Sequence, residues 1–150
     1  MAKKISLALT LFFLAPLDAS ATVCQIVPLD MRLREAPIVF VATVTTATNS
    51  HSFASAKNGE EYRVRYRFEI REHIKGDPSL IPALYTTNIY HAYDSDISID
   101  GPETRLLPGD NVLVIADSPG EVQVASCSPS RVWKPSADES KVVRSFQGAI

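Results

Sequence analysis

Two kinds of side chain in this 150-residue sequence are placed to do chemistry: a pair of cysteines and a row of arginines. Cys24 and Cys127 are the only thiols and lie about a hundred residues apart. A redox-active pair usually sits close in sequence, as in Cys-x-x-Cys, in an electropositive setting. This separation points instead to a structural disulfide, with an untied or intermolecular thiol as the other option. Arg63, Arg65, Arg67 and Arg71 recur at odd positions of one segment, so on a strand they share a face. Guanidiniums in a row grip carboxylates, sulfates or phosphates in bidentate fashion. The same row also makes a solvated strand face that protects an edge.

The other reactive groups are scattered. His51, His73 and His91 fall in different elements, and no G-x-S-x-G, H-E-x-x-H or phosphate loop is present. Glu72 and His73 are neighbours on a strand, so they point to opposite faces and do not form an acid–base pair. Asp94, Asp96, Asp100 and Gly101 have part of the composition of a calcium loop. The later bidentate Glu is missing and Ile97, Ser98 and Ile99 break the ligand spacing, so an acidic loop is expected. No metal, cofactor or catalytic residue is expected, and the chain reads as a non-enzyme.

The first residues give a location. Lys3 and Lys4 precede an apolar run from Leu7 to Ala15, and Ala19-Ser20-Ala21 follows. That is the pattern of a secretory signal peptide, too short for a bilayer-spanning helix. Cleavage after Ala21 would leave Thr22 as the new N-terminus. It would deliver both thiols to an oxidising compartment, secreted or periplasmic, where such a pair bonds. Removing 21 of the 150 residues leaves 129, the size of one domain. Loss of two lysines and one aspartate takes the net charge from −2 to −3. A mildly acidic exported domain is a poor candidate for nucleic acid or an anionic membrane. No second long apolar run suggests a membrane span.

The elements that must position these groups are mostly strands. Pro28 to Glu35 reads as a short helix, with Leu29 and Leu33 on one face and Pro37 ending it. Ile38 to Thr48 is β-branched and apolar, covered on both faces in its first half. Asn49 to Glu60 is polar and reads as an exposed connection. Tyr62, Val64, Tyr66, Phe68 and Ile70 alternate with Arg63, Arg65, Arg67, Glu69 and Arg71, which specifies one buried and one wet face. The aromatic residues of this strand therefore turn away from the arginines, which disfavours base stacking. Ala83 to Ala92, Val112 to Ala116 and Glu121 to Cys127 complete the strands, with Asp94 to Pro102 as the acidic loop. Ala137 to Phe146 has helical composition and reads as a loosely docked tail. Five strands with turn-rich links favour a small barrel over a sandwich, which wants about seven.

The ordered pieces resemble a known family. They are Cys24, the helix ending at Glu35-Ala36-Pro37, the strand Ile38 to Val44, and Tyr66-Arg67-Phe68-Glu69-Ile70 running into Ile74-Lys75-Gly76-Asp77. Leu107-Pro108-Gly109-Asp110 before Val112 to Ile115, and Ala125-Ser126-Cys127-Ser128, close the set. Together, over residues 24 to 130, they resemble the netrin-like domains, oligosaccharide/oligonucleotide-type (OB-fold) barrels shared with tissue inhibitors of metalloproteinases. The chain looks most like the short bacterial relatives, mostly exported and without assigned activity. The resemblance implies a mainly β, five-stranded, OB-fold-like closed barrel with short N- and C-terminal helices. The resulting division is a signal peptide over 1–21, the barrel over 22–134 and a partly helical tail over 135–150. In this barrel class the outer faces of strands two and three often hold ligands. The implied function is an exported binding domain for an envelope or extracellular protein or an anionic polymer, without nucleic acid. The alternative is a peptidase inhibitor acting through its N-terminal segment. In the family's inhibitors an N-terminal cysteine chelates the catalytic zinc, whereas Thr22 holds that place here and the Cys-x-Cys opening is absent.

Overall fold

The computed structural model describes residues 24, 27–49, 57, 59–89, 91–93, 96–98, 105–125 and 127–147. Residues 1–21, where a signal peptide is expected, lie outside the described residues with His51 and most of the 49–60 connection, as do Asp94, Asp100 and Gly101. The described chain runs α1 (Leu29–Glu35), β1 (Ile38–Asn49), β2 (Glu61–Lys75), a 3-10 turn (Pro78–Leu80), β3 (Leu84–Ile89) and β4 (His91–Tyr93). It continues with β5 (Asp96–Ser98), β6 (Asn111–Ala116), β7 (Val122–Gln123), β8 (Arg131–Val132) and α2 (Ala137–Gln147).

The class is mainly β, and the sheet is built around β1. Its even residues Ile38, Phe40, Ala42 and Val44 pack inward with Tyr66, Leu84, Val112, Val114 and Val124. Its odd residues Val39 and Val41 pack outward with Leu33, Ile74, Leu113, Ile115 and Val143. The continuous apolar runs of β1 and β6 thus serve two cores, one on each side of the sheet. The expected double coverage of β1 holds, and α1 and α2 supply the outer cover. The tail reading is corrected here: Val143 is buried, Val142 and Phe146 pack on the second core, and the Gln147 amide donates to the Glu72 carboxylate.

A closed five-stranded cylinder does not form. One six-stranded sheet has the order β7-β3-β2-β1-β6-β8, and β4 with β5 makes a separate hairpin. The acidic loop therefore contains a short strand, and the strand expected over Ala83–Ala92 divides between β3 and β4. The strand expected over Glu121–Cys127 shortens to Val122–Gln123. Two restraints interrupt it: Cys127 is tied to Cys24, and Pro129 has no N–H to give a ladder. β7 runs parallel to β3, with the Val122 and Val124 amides donating to the Ala83 and Tyr85 carbonyls. Past Pro129 the same segment reaches the opposite edge as β8, antiparallel to β6. The Ser130 hydroxyl extends that pairing, accepting from the Ile115 N–H at 2.9 Å and donating to the Ile115 carbonyl at 3.0 Å.

Local irregularities set the shape. The β1–β2 register slips between Ile70 and Glu72, between His73 and Lys75, and at Thr45. Each slip is a bulge that bends the strand. The slip at Arg71 changes which face the even residues of β2 present: Tyr66 packs inward, but Ile74 packs outward under the helices. Ile70, the last inward position before that change, is 51% exposed. Gly76 ends β2 at φ +73°, and a Cβ there would lie 2.1 Å from the Pro37 carbonyl oxygen. Lys75 then donates its ammonium to the Arg34 carbonyl at 2.8 Å, satisfying an open carbonyl at the end of α1.

Two stability predictions follow from these contacts. Gly76→Ala must both leave a left-handed conformation and move backbone, so it should cost about 2–4 kcal/mol by chemical denaturation. Gly109→Ala, with φ +95° but open space around it, should cost clearly less; equal losses would refute the Pro37 contact. Cys127→Ser should lower stability by about 2–4 kcal/mol under oxidising conditions and leave it unchanged in reductant.

Candidate functional site

The second strand carries its charges on a surface that the helices leave bare. Cross-strand partners share a face, and the register sets Arg63 opposite Thr87, Arg65 opposite Tyr85 and Thr48, and Arg67 opposite Thr46. The outer face of the sheet therefore has two halves. Over Val39, Val41, Leu113, Ile115 and Ile74 it is apolar and roofed by α1 and α2. Over Arg63, Arg65 and Arg67 it is cationic, hydroxyl-rich and open, with all three arginines exposed.

Two of these arginines are held in place. The Arg63 guanidinium carbon sits 4.7 Å from the centroid of the Tyr85 ring, a cation–π contact. Arg65 pairs with Glu121, which precedes β7. Arg67 has no partner among the described residues. The fourth candidate, Arg71, is also exposed but falls at the bulge, outside the unbroken alternation. The structure brings Arg63, Arg65 and Arg67 together and sets Arg71 apart.

Tyr85 is the residue that sequence reasoning missed. Tyr62 and Tyr66 are buried and Phe68 is half-buried against the inner core, but Tyr85 comes from the next strand on the arginine side. The signal was available in the alternation of Leu84, Thr86 and Asn88 inward with Tyr85 and Thr87 between them. Polar types masked it, because the inward Thr86 accepts from Asn88 at 3.3 Å and bonds the Tyr66 hydroxyl at 3.1 Å.

Of the acid–base candidates, Glu72 and His73 turn to different partners. Glu72 is engaged by Gln147, while the His73 ring meets the Gly76 carbonyl. Asp77 is held below the usual aspartate range by its hydrogen bonds from the Ser79 hydroxyl and amide, with a smaller contribution from nearby His73. Among the described residues no three His, Cys, Asp or Glu side chains converge to hold a metal, and no helix is long and apolar enough to cross a membrane.

The cysteines do meet. Cys24 and Cys127 form a disulfide with Cα atoms 5.2 Å apart. Beside it lies a cleft of about 420 Å³, in the range of small-molecule sites. Its rim includes Arg131 and Glu139, which form an ion pair. Glu139 also closes a capping box on α2: the Ser136 hydroxyl accepts from the Glu139 N–H, and the Glu139 carboxylate accepts from the Ser136 N–H at 2.8 Å. That backbone bond is the main reason its carboxyl is held below the usual glutamate range, with Arg131 assisting. The S-x-x-E spacing at Ser136 was the sequence signal for it.

No family model matches the chain, and no curated protein matches it.

A depressed folded-state pKa means that the ionised Glu139 stabilises the fold above its unfolded value and loses that contribution as pH falls through the folded value. Unfolding followed through Trp133 should therefore show wild type losing stability on acidification below the glutamate range. Glu139→Gln should lose less over the same window; parallel curves would refute the role of this carboxylate.

Proposed function

We propose that the chain is an exported, non-enzymatic binding domain of netrin-like type. It engages an anionic envelope or extracellular partner, a protein or a polymer, through the bare half of its outer sheet face. One observation carries the reading: Arg63, Arg65 and Arg67 stand on consecutive outward positions of β2, Arg63 held over the Tyr85 ring and Arg65 shared with Glu121, so that an anionic partner meets Arg63 and Arg67 first. Fixed guanidiniums lose less conformational freedom on binding than free ones, and their planar forks match carboxylate and sulfate oxygens. Strand repeat places successive arginines roughly 6.8 Å apart, a spacing suited to a partner with repeated charges.

The connectivity supports the finer family reading. β1, β2 and β3 follow one another as antiparallel neighbours, β6 returns beside β1, and β7 lies parallel to β3. A five-stranded barrel of the netrin-like kind would have this order, with the last strand joining both edges. The disulfide accords with an oxidising compartment and hence with export. Nucleic acid is not the preferred partner, given the net charge of −2; among the described residues Tyr85 is the one aromatic ring placed among the arginines, and Arg63 already covers it.

The test is a triple reversal, Arg63→Glu with Arg65→Glu and Arg67→Glu. The variant should fold, because all three side chains are exposed, yet lose capture of sulfated or carboxylated polymers and of acidic envelope proteins. Unchanged capture would reduce the row to a solvated surface and sink the proposal.

A further inference from the structure

The cleft beside the disulfide lies at the helix-covered half of the outer sheet face, with none of the row arginines in its lining, and the proposal above makes no use of it. We propose that it is a second binding site, which takes a small amphiphilic molecule bearing one carboxylate.

Its walls come from four separate parts of the chain, one of them Glu139 of α2. Val27, Pro28 and Leu29 lead into α1, Ile115 comes from β6, and Pro129 from the crossing between β7 and β8. These residues give an apolar lining. Cys24 and Cys127 both line the cleft, so the disulfide is itself part of the wall. The sequence offers no sign of this site, because its residues come together only once the bond and the β6–β8 pairing are in place.

The charges at the cleft do not balance. Arg32, Arg131 and Glu139 contribute to its surface. Arg131 is neutralised by Glu139, and that carboxylate is occupied further by the Ser136 amide. Arg32 is half-buried and has no partner among the described residues. Its neighbour Arg34 differs, since it reaches Asp30 at 3.7 Å. Among the described residues one guanidinium therefore lacks a carboxylate partner beside an apolar surface.

A ligand carboxylate supplies the missing partner through paired, charge-assisted hydrogen bonds to Arg32. An apolar body then covers Val27, Leu29 and Pro129. Glu139 on the same rim sets an upper limit to the ligand's charge, because a second anionic group would meet it. This is a different selectivity from the arginine face, which suits repeated charge. The site depends on oxidation as well, since reduction removes the covalent wall between Cys24 and Cys127.

The probe is 4-phenylbutyrate, titrated against the oxidised full-length protein by NMR, with its neutral primary amide as comparison. The acid should bind saturably, shifting the backbone amides of Leu29, Arg32 and Ile115, and the amide should bind about tenfold more weakly or worse. Arg32→Met should reduce affinity for the acid by a similar factor, whereas Arg34→Met on the same helix should not. Equal binding of acid and amide to the wild type would overturn the proposal without any variant. So would full affinity in Arg32→Met, or shifts centred on Arg63 to Arg67 instead of the cleft. The double variant Cys24→Ser, Cys127→Ser should lose the acid while keeping the β1–β2 amide pattern; undiminished binding there overturns the site.

Discussion

A strongly curled sheet has two edges whose amides and carbonyls need partners, and this protein satisfies both with one piece of chain. Residues 120 to 133 lie first along β3 and then along β6. Between the two, Pro129 prevents continuous pairing, and the Ser130 hydroxyl replaces a missing strand residue on Ile115. The disulfide at Cys127 fixes where that crossing happens and pulls the start of α1 against the end of β6. Without this crossing neither edge would be covered, and the inner core of Phe40, Leu84 and Val114 would lose its cover from Val122, Val124 and Val132.

The second organising device is the loss of register in β2. An ideal fifteen-residue strand would show the same face to the same environment throughout. The slip at Arg71 lets one strand serve two layers: Tyr66 and Phe68 face the interior, while Ile74 and Glu72 face the helices. It also separates Arg71 from the row ahead of it and leaves Ile70 half uncovered at the point of change. The open cationic face and the roofed apolar face are thus two ends of one strand.

Much of this was legible from residue types. The double-sided burial of β1 and β6 follows from uninterrupted Val, Ile and Phe, and the alternation of Tyr62 to Ile70 assigned inside and outside correctly as far as Phe68. The short helix before Pro37 and the pairing of the two thiols were equally plain. What escaped has a physical cause in each case. A bulge is a relation between two strands, so nothing in Glu69-Ile70-Arg71-Glu72 by itself announces it. The division of the last strand depends on tertiary pairing that overrode the alternation of Glu121 to Cys127. Tyr85 joined the arginines through cross-strand register, which single-strand periodicity does not report. The helix at Ala137 looked like a tail because only Val142, Val143 and Phe146 are large and apolar, yet they close the second core.

The covalent tie joins positions 103 residues apart, and this has a consequence in time as well as in space. Cys24 leaves the synthesis machinery early and meets its mate only after every strand up to β7 has followed. Until then the first thiol is available to other cysteines, and the sheet edges await chain that does not yet exist. Assembly of such a distant contact map is slow compared with helix-rich folds. The leading segment therefore stays covalently free until the final strands are present.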